Sequence, residues 1–398
     1  MNGPMRTRPI YLDHQATTPL DPDVLAAMLP YFTEQFGNPH SDDHEYGHQA
    51  ASAVKDARVA VARLISASPG EIIFTSGATE ANNLLLKGAA RKIAQSGRPG
   101  IVTCVTEHNA VLEVVASLER SGHPVTYLPV DRDGLLDPTQ VEQAIDAKTG
   151  LVSVMAVNNE IGTIQPIAAL GSLCRRNGVL FHTDAAQAAG KIALDVRSMD
   201  IDLLSLSGHK MYGPKGIGAA FINRQTVGRL EALIDGGGQE AGMRGGTLPT
   251  PLCVALGEAC TIAGGRLASE SEALTRLRDR LLGALTRAGC AFTINGSLTM
   301  RWPGNLNLSF DGVDAEALIL AVRDQLAIAS GSACTSAALE PSYVVLALGH
   351  GLERAEGAIR IGIGRYTTTD EIDRAADKLV DAVQGLVHIA SAFAATEG

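Results

Sequence analysis

The sequence of 398 residues is 45% hydrophobic and 19% charged, with a net charge of −10 at pH 7. That length and apolar content support one large packed unit and a smaller one, and the acidic balance argues against a nucleic-acid groove or an anionic membrane surface as the main partner. No apolar run reaches the ~18 residues of a membrane span, the first ten residues lack an apolar signal core, and the six cysteines (104, 174, 253, 260, 290, 334) form no C-x-x-C pair, so a reducing cytoplasm is expected, with neither a zinc site nor a disulfide framework.

In chain order, a polar entry segment at 11–19 precedes helical apolar spacing over 24–36. His40, His44 and His48 follow without a nearby Cys or carboxylate in metal-ligand spacing, so no metal is expected there. A helix over 49–64 leads to the strand Glu71-Ile-Ile-Phe-Thr75. Ser76-Gly-Ala-Thr-Glu80 then turns into a long helix reaching about 94. The amides and hydroxyls of 77–79 gather at that helix's positive end, a ready anion site, although an ordinary capped helix start reads the same way. Strands at 101–106, 125–129, 151–157, 179–183, 202–206 and 217–222 alternate with helices at 111–119, 138–147 and 167–177. Such alternation predicts a mostly parallel sheet covered on both faces. Its strand tips carry Glu107-His108, Asn158-Asn159-Glu160, Asp184 and Ser207, which in an open α/β sheet line one crevice.

The stretch Asp202-Leu-Leu-Ser-Leu-Ser-Gly-His-Lys210 is a short apolar strand broken by Ser207-Gly208, which leaves Lys210 just past its carboxyl end. A lysine there can form an imine, with Ser207 and His209 beside it as phosphate donors. The strand ending at Asp184 points an acid into the same crevice, with Gln187 following. An amine to hold an aldehyde and a carboxylate to keep a pyridine nitrogen protonated are what pyridoxal phosphate requires. Taken singly, Lys210 also reads as a solvated lysine and Asp184 as a helix cap. His108 can lie against a ring, and Asn159 and Gln187 can bond its phenolic oxygen or neighbouring groups. A water-facing loop residue is the alternative for each, and for Asn159 alone the preferred one.

A glycine-dense loop at 234–247 is too long for a simple turn and points to function or a subunit contact. Helices are expected at 251–264 and 269–287. The last hundred or so residues read as an α+β module: strands at 306–310, 326–329 and 358–363, helices at 315–324 and 342–348, and an end helix from 370. Cys334 sits in Ala329-Ser-Gly-Ser-Ala-Cys-Thr-Ser-Ala337, a run of small residues with little to pack. It reads as an accessible nucleophile, unlike the other five cysteines, which read as small buried hydrophobes. Arg360, mid-strand among apolar neighbours, suits a carboxylate; an internal salt bridge fits its spacing equally well.

Together these motifs resemble the cysteine desulfurases of the NifS/IscS type, within the aminotransferase class V group of fold-type-I pyridoxal phosphate enzymes. The resemblance runs from Tyr11 to about Val387. It is carried by Ser76-Gly-Ala-Thr-Glu80, Thr106-Glu-His-Asn109, Val157-Asn-Asn-Glu-Ile-Gly162, Ser207-Gly-His-Lys-Met-Tyr-Gly-Pro-Lys-Gly216, Ser330-Gly-Ser-Ala-Cys-Thr-Ser336 and Leu339-Glu-Pro-Ser-Tyr343. It implies an α/β fold: a large domain, 14–260, with a mostly parallel seven-stranded sheet, and a small α+β domain formed by 1–13 and 261–398. It implies that Lys210 carries the cofactor, Asp184 partners the pyridine nitrogen, His108 stacks on the ring, and Asn159 and Gln187 contact it. Ala78, Thr79, Ser207, His209 and, from the other subunit of a homodimer, Thr247 would hold the phosphate. Arg360, with Asn159, would bind the carboxylate of L-cysteine. Cys334 would take the sulfur as a persulfide and pass it to an acceptor or iron–sulfur scaffold protein, its persulfide being the one point of contact with a metal cluster. The chain departs from the pattern at His14-Gln15, at Gly245, and in a tail without the extended end of members that serve an IscU-like scaffold, so the acceptor stays open. The rival expectations are a class V aminotransferase or lyase acting on another amino acid, selenocysteine lyase activity, and a catalytically silent scaffold-binding partner.

Overall fold

The structure is a computed structural model that describes residues 8–225, 227–228, 230–331 and 341–394. Strand β1 (Ile10–Tyr11) is followed by helices α1 (Pro22–Met28), α2 (Pro30–Thr33) and α3 (Glu45–Leu64). Pro30 divides the predicted 24–36 helix, because a proline has no amide proton to continue the ladder. Helix α3 starts earlier than its apolar pattern because the His44 ring accepts from the Gly47 amide at 3.1 Å and caps it.

Next come β2 (Ile72–Thr75), α4 (Ala78–Gln95), β3 (Gly100–Cys104), α5 (Asn109–Arg120), β4 (Val125–Leu128), α6 (Pro138–Ala144), β5 (Thr149–Ser153), α7 (Ile167–Arg176), β6 (Leu180–Asp184), β7 (Leu203–Ser207) and β8 (Gly218–Ile222). Strands β2 to β8 form a seven-stranded sheet of order β2-β8-β7-β6-β5-β3-β4. Neighbouring strands are parallel except where β8 meets β2 and β7. Alternate residues feed two cores, as the pleat requires: Leu204 and Leu206 of β7 join one, Leu203 the other. Both faces are therefore covered. The register pairs Asp184 with Ser205 and Ser207 with Gly218, which sets the polar tips of β6 and β7 side by side.

The remaining elements are α8 (Thr250–Arg287), β9 (Phe292–Ile294), β10 (Asn305–Phe310), α9 (Ala315–Val322), β11 (Leu326–Ala327), β12 (Ala329–Ser330), α10 (Tyr343–Ala347), α11 (Leu352–Glu356), β13 (Ala358–Gly362) and α12 (Thr369–Ala394). Where two helices were expected across 251–287, α8 runs unbroken through Gly264-Gly265. Its contacts with α3, α1 and α12 outweigh the weak helix propensity of glycine. By length and composition α8 could cross a membrane; here it packs against α3, α12 and α1. The expected 326–329 strand divides: β11 pairs with β1, and β12 joins an antiparallel sheet of order β12-β13-β10-β9. Strand β9, too short to announce itself by alternation, was not expected. The loop holding Cys334 lies outside the described residues.

Candidate active site

At the carboxyl tips of β6 and β7 a cavity of about 480 Å³ opens, bounded also by the start of α4. Ala78, Thr79, His108, Asn159, Asp184, Gln187, Ser207, His209, Lys210 and Arg360 all line it. Thr247 is exposed and does not line this cavity, and Cys334 lies outside the described residues. Cys104, Cys174, Cys253 and Cys260 are buried as expected, whereas Cys290 is only partly so, because it lies in the short link between α8 and β9.

Lys210 ends a tight turn after β7, and its Nζ donates to the carbonyl oxygens of Gln15 at 2.7 Å and Ala16 at 2.8 Å. Asp184 is held from two sides: Asn82 Nδ2 donates to its Oδ2 at 2.7 Å and the Ala186 amide to its Oδ1 at 2.9 Å. His108 caps α5, its Nδ1 accepting from the Ala110 amide at 3.0 Å. Burial lowers its pKa, so the ring stays neutral near pH 7. Burial, with Lys210 and Lys215 nearby, pushes His209 down to about 4. Arg360 makes the internal salt bridge and also lines the cavity. Its guanidinium pairs with Asp13 Oδ1 at 2.8 Å and donates to the Asn159 carbonyl at 3.2 Å, yet it also faces the cavity.

The residues fit a flat, phosphorylated, anionic cofactor on three observations. Asn159 Oδ1 and Arg360 Nε are buried on residues of the cavity wall and have no partner among the described residues; buried polar atoms in that condition call for a ligand or water. Gly77, at φ +151°, starts α4 in a conformation open chiefly to glycine. A Cβ at Gly218 would meet the Leu206 carbonyl oxygen at 2.4 Å and Gly77 Cα at 2.7 Å, so the backbone closes tightly beneath the anion site.

Several supporting residues escaped the sequence reading. Asn82 is a fully buried polar residue on the otherwise apolar inner face of α4; that interruption was the available signal. Glu107, expected from the sequence at a crevice-lining strand tip, does not line the cavity: it is wholly buried and accepts from the Met155 amide. Burial, with Asp184 nearby, raises its carboxyl well above the usual range. Asp13 gave no local signal, because its partner lies at the far end of the chain.

Residues 10–375 match the aminotransferase class-V family. The chain is 52% identical over 380 residues to a cysteine desulfurase IscS of Rickettsia rickettsii (strain Iowa), covering 96% of this chain and 92% of that protein. Among solved structures it is similar to a NifS-like protein, with a TM-score of 0.88, 34% identity, and coverage of 95% of this chain and 100% of that one. It is also similar to SspA in complex with cysteine, with a TM-score of 0.79, 38% identity, and coverage of 91% and 100%. Coverage so complete, at such identity, shows family and fold together: the chain belongs to the aminotransferase class-V family, among its cysteine desulfurases of the NifS/IscS type.

Proposed function

We infer that the chain is a pyridoxal phosphate-dependent cysteine desulfurase that converts L-cysteine to L-alanine and collects the sulfur on Cys334. The observation that carries this is the convergence of an amine (Lys210), an acid (Asp184), a neutral ring (His108) and a guanidinium (Arg360) on one cavity. When bound, pyridoxal phosphate supplies an electron sink for bonds broken at the amino acid's α- and β-carbons.

The chain supplies the rest. Lys210 Nζ, aimed by the Gln15 and Ala16 carbonyls, would hold the cofactor's aldehyde, and as a free amine it would take the α-proton and return one. Asp184, fixed by Asn82 and the Ala186 amide, would accept a hydrogen bond from the pyridine N–H and so keep that nitrogen protonated. Neutral His108 would cover the ring and keep water from it. The amides of Ala78 and Thr79 at the positive end of α4, with Ser207 and His209, would receive the phosphate, and Thr247 would add to them across a homodimer interface. Arg360 offers its fork to the substrate carboxylate, helped by Asn159. The Cys334 thiolate attacks the substrate sulfur. An S–S bond forms as the C–S bond breaks, the electron pair stays with the alanine fragment, and a proton completes its methyl group. The persulfide then passes its outer sulfur to an acceptor protein for iron–sulfur or other sulfur-cofactor assembly.

This reading places the enzyme in the cytoplasm, with neither nucleic acid nor membrane as partner. It divides the chain into a large cofactor-binding unit, 14–260, and a smaller one, 1–13 with 261–398, supported by the pairing of β1 with β11. The test uses two variants. Lys210→Ala should lose the visible absorbance of the bound cofactor; Cys334→Ala should keep it and release no sulfide from L-cysteine. Full desulfuration by Cys334→Ala would refute the role given to that thiol.

A further inference from the structure

We propose that Lys191 is a positioning residue: it fixes which way round the Gln187 amide stands, so that Gln187 presents an N–H, and not its carbonyl, to the cavity. The inference rests on the cofactor reading above. Gln187 and Lys191 lie four residues apart in a single helical turn after β6, where the amides of Ala189 and Ile192 donate to the carbonyls of Ala185 and Ala188. That spacing brings the two side chains to one face.

Lys191 Nζ donates to Gln187 Oε1 at 2.6 Å, and Gln187 Nε2 donates to the Gln15 carbonyl at 2.8 Å. An ammonium has no lone pair and a peptide carbonyl has no proton, and where the amine is neutral the Gln15 carbonyl alone still requires an N–H opposite it. The reverse orientation would oppose donor to donor at one end and acceptor to acceptor at the other, so the partners themselves settle the choice. One N–H of Nε2 is then left over, on a residue that lines the cavity beside Asp184 and His108. It is a ready donor to an electron-rich ring oxygen. The Gln15 carbonyl also receives Lys210 Nζ at 2.7 Å, so the same network reaches the imine-forming amine.

Lys191 has no evident other task. It is buried, its ammonium sits 4.5 Å from the centre of the Trp302 ring, and among the described residues no carboxylate forms an ion pair with it. The charged groups that act on it are Lys210, Glu270 and Arg360. Burying a cation without an ion partner is costly, and burial followed by the charge of Lys210 brings its pKa down to about 7.

The experiment uses the full chain loaded with pyridoxal phosphate and reads two quantities: the apparent pKa of the visible chromophore and the rate of cofactor release. Lys191→Met keeps the packing on Trp302 and removes the donor. It should raise the chromophore pKa by about one unit and speed release roughly tenfold. In a Gln187→Ala background most of that effect should vanish. If half or more persists, Lys191 acts through its charge or packing alone and the inference falls; an unchanged Lys191→Met protein overturns it as well. Gln187→Glu needs no folded Lys191 variant. It replaces the cavity-facing donor with an acceptor while leaving Lys191 its partner, so an unmoved chromophore pKa overturns the assigned orientation. A wild-type chain that shows no Lys210-dependent chromophore refutes the cofactor reading itself, and this inference with it, a failure distinct from the others.

Discussion

Arg360 is placed so that one side chain could serve both structure and the proposed substrate site. Its guanidinium is almost wholly buried, tied to Asp13 and to the Asn159 carbonyl, and still carries an Nε without a partner among the described residues. A planar fork can hold the internal partner and a substrate carboxylate together; an ammonium cannot. Arg360→Lys is therefore expected to raise KM for L-cysteine roughly tenfold or more while the bound cofactor keeps its absorbance. Steady-state kinetics on the loaded protein would check this, and an unchanged KM would remove Arg360 from the substrate site. At this scale the sequence was readable where a side chain sits at a strand tip, as for Asp184 and Lys210, which both line the cavity. It was unreadable where a residue acts through a distant partner. Nothing near Asp13 announces Arg360, and nothing near Lys191 distinguishes a surface lysine from a buried one.

Among the elements, α8 and α10 carry separate expectations. Helix α8 approaches α3 closely at Gly257, where a Cβ would meet Ala57 Cα at 2.7 Å. Gly257→Ala should therefore destabilise the protein by about 1–3 kcal/mol despite its better helix propensity, read as a lower denaturation midpoint. Helix α10 is anchored at its start by Ser342, whose hydroxyl donates to the buried Glu160 carboxylate at 2.5 Å. Burial pushes Glu160 up to about 7 from an ordinary 4.5. The folded state thus holds this proton more tightly than the unfolded chain does. The contribution is fully present below pH 4.5 and is lost as pH rises through about 7, by about 3 kcal/mol at most. Glu160→Gln should remove that component, so denaturant unfolding at pH 5 and pH 8 should differ less for the variant than for the wild type. Element positions followed from apolar period and strand-end polarity almost throughout. The misreadings arose where tertiary packing overrode a local signal, as along Gly264-Gly265, or where a strand was too short to carry one, as in β9.

At the scale of the whole molecule, the sheet order does the decisive work. Strands β6 and β7 are neighbours, so an acid and an amine far apart in sequence share one cleft. Strand β13 of the other sheet brings Arg360 to the same cavity from the opposite end of the chain. The parallel sheet was legible because strands alternated with helices. The joining of the two sheets around a single site was not, since it depends on contacts that span nearly the full chain. In the proposed reaction sulfur leaves L-cysteine in this cavity and lands on Cys334. Intact mass spectrometry of the cofactor-loaded protein, before and after L-cysteine without reductant, tests it most directly. The account predicts one added sulfur atom, mapped to Cys334, together with free alanine. Alanine without added sulfur, or sulfur on another cysteine, would contradict it.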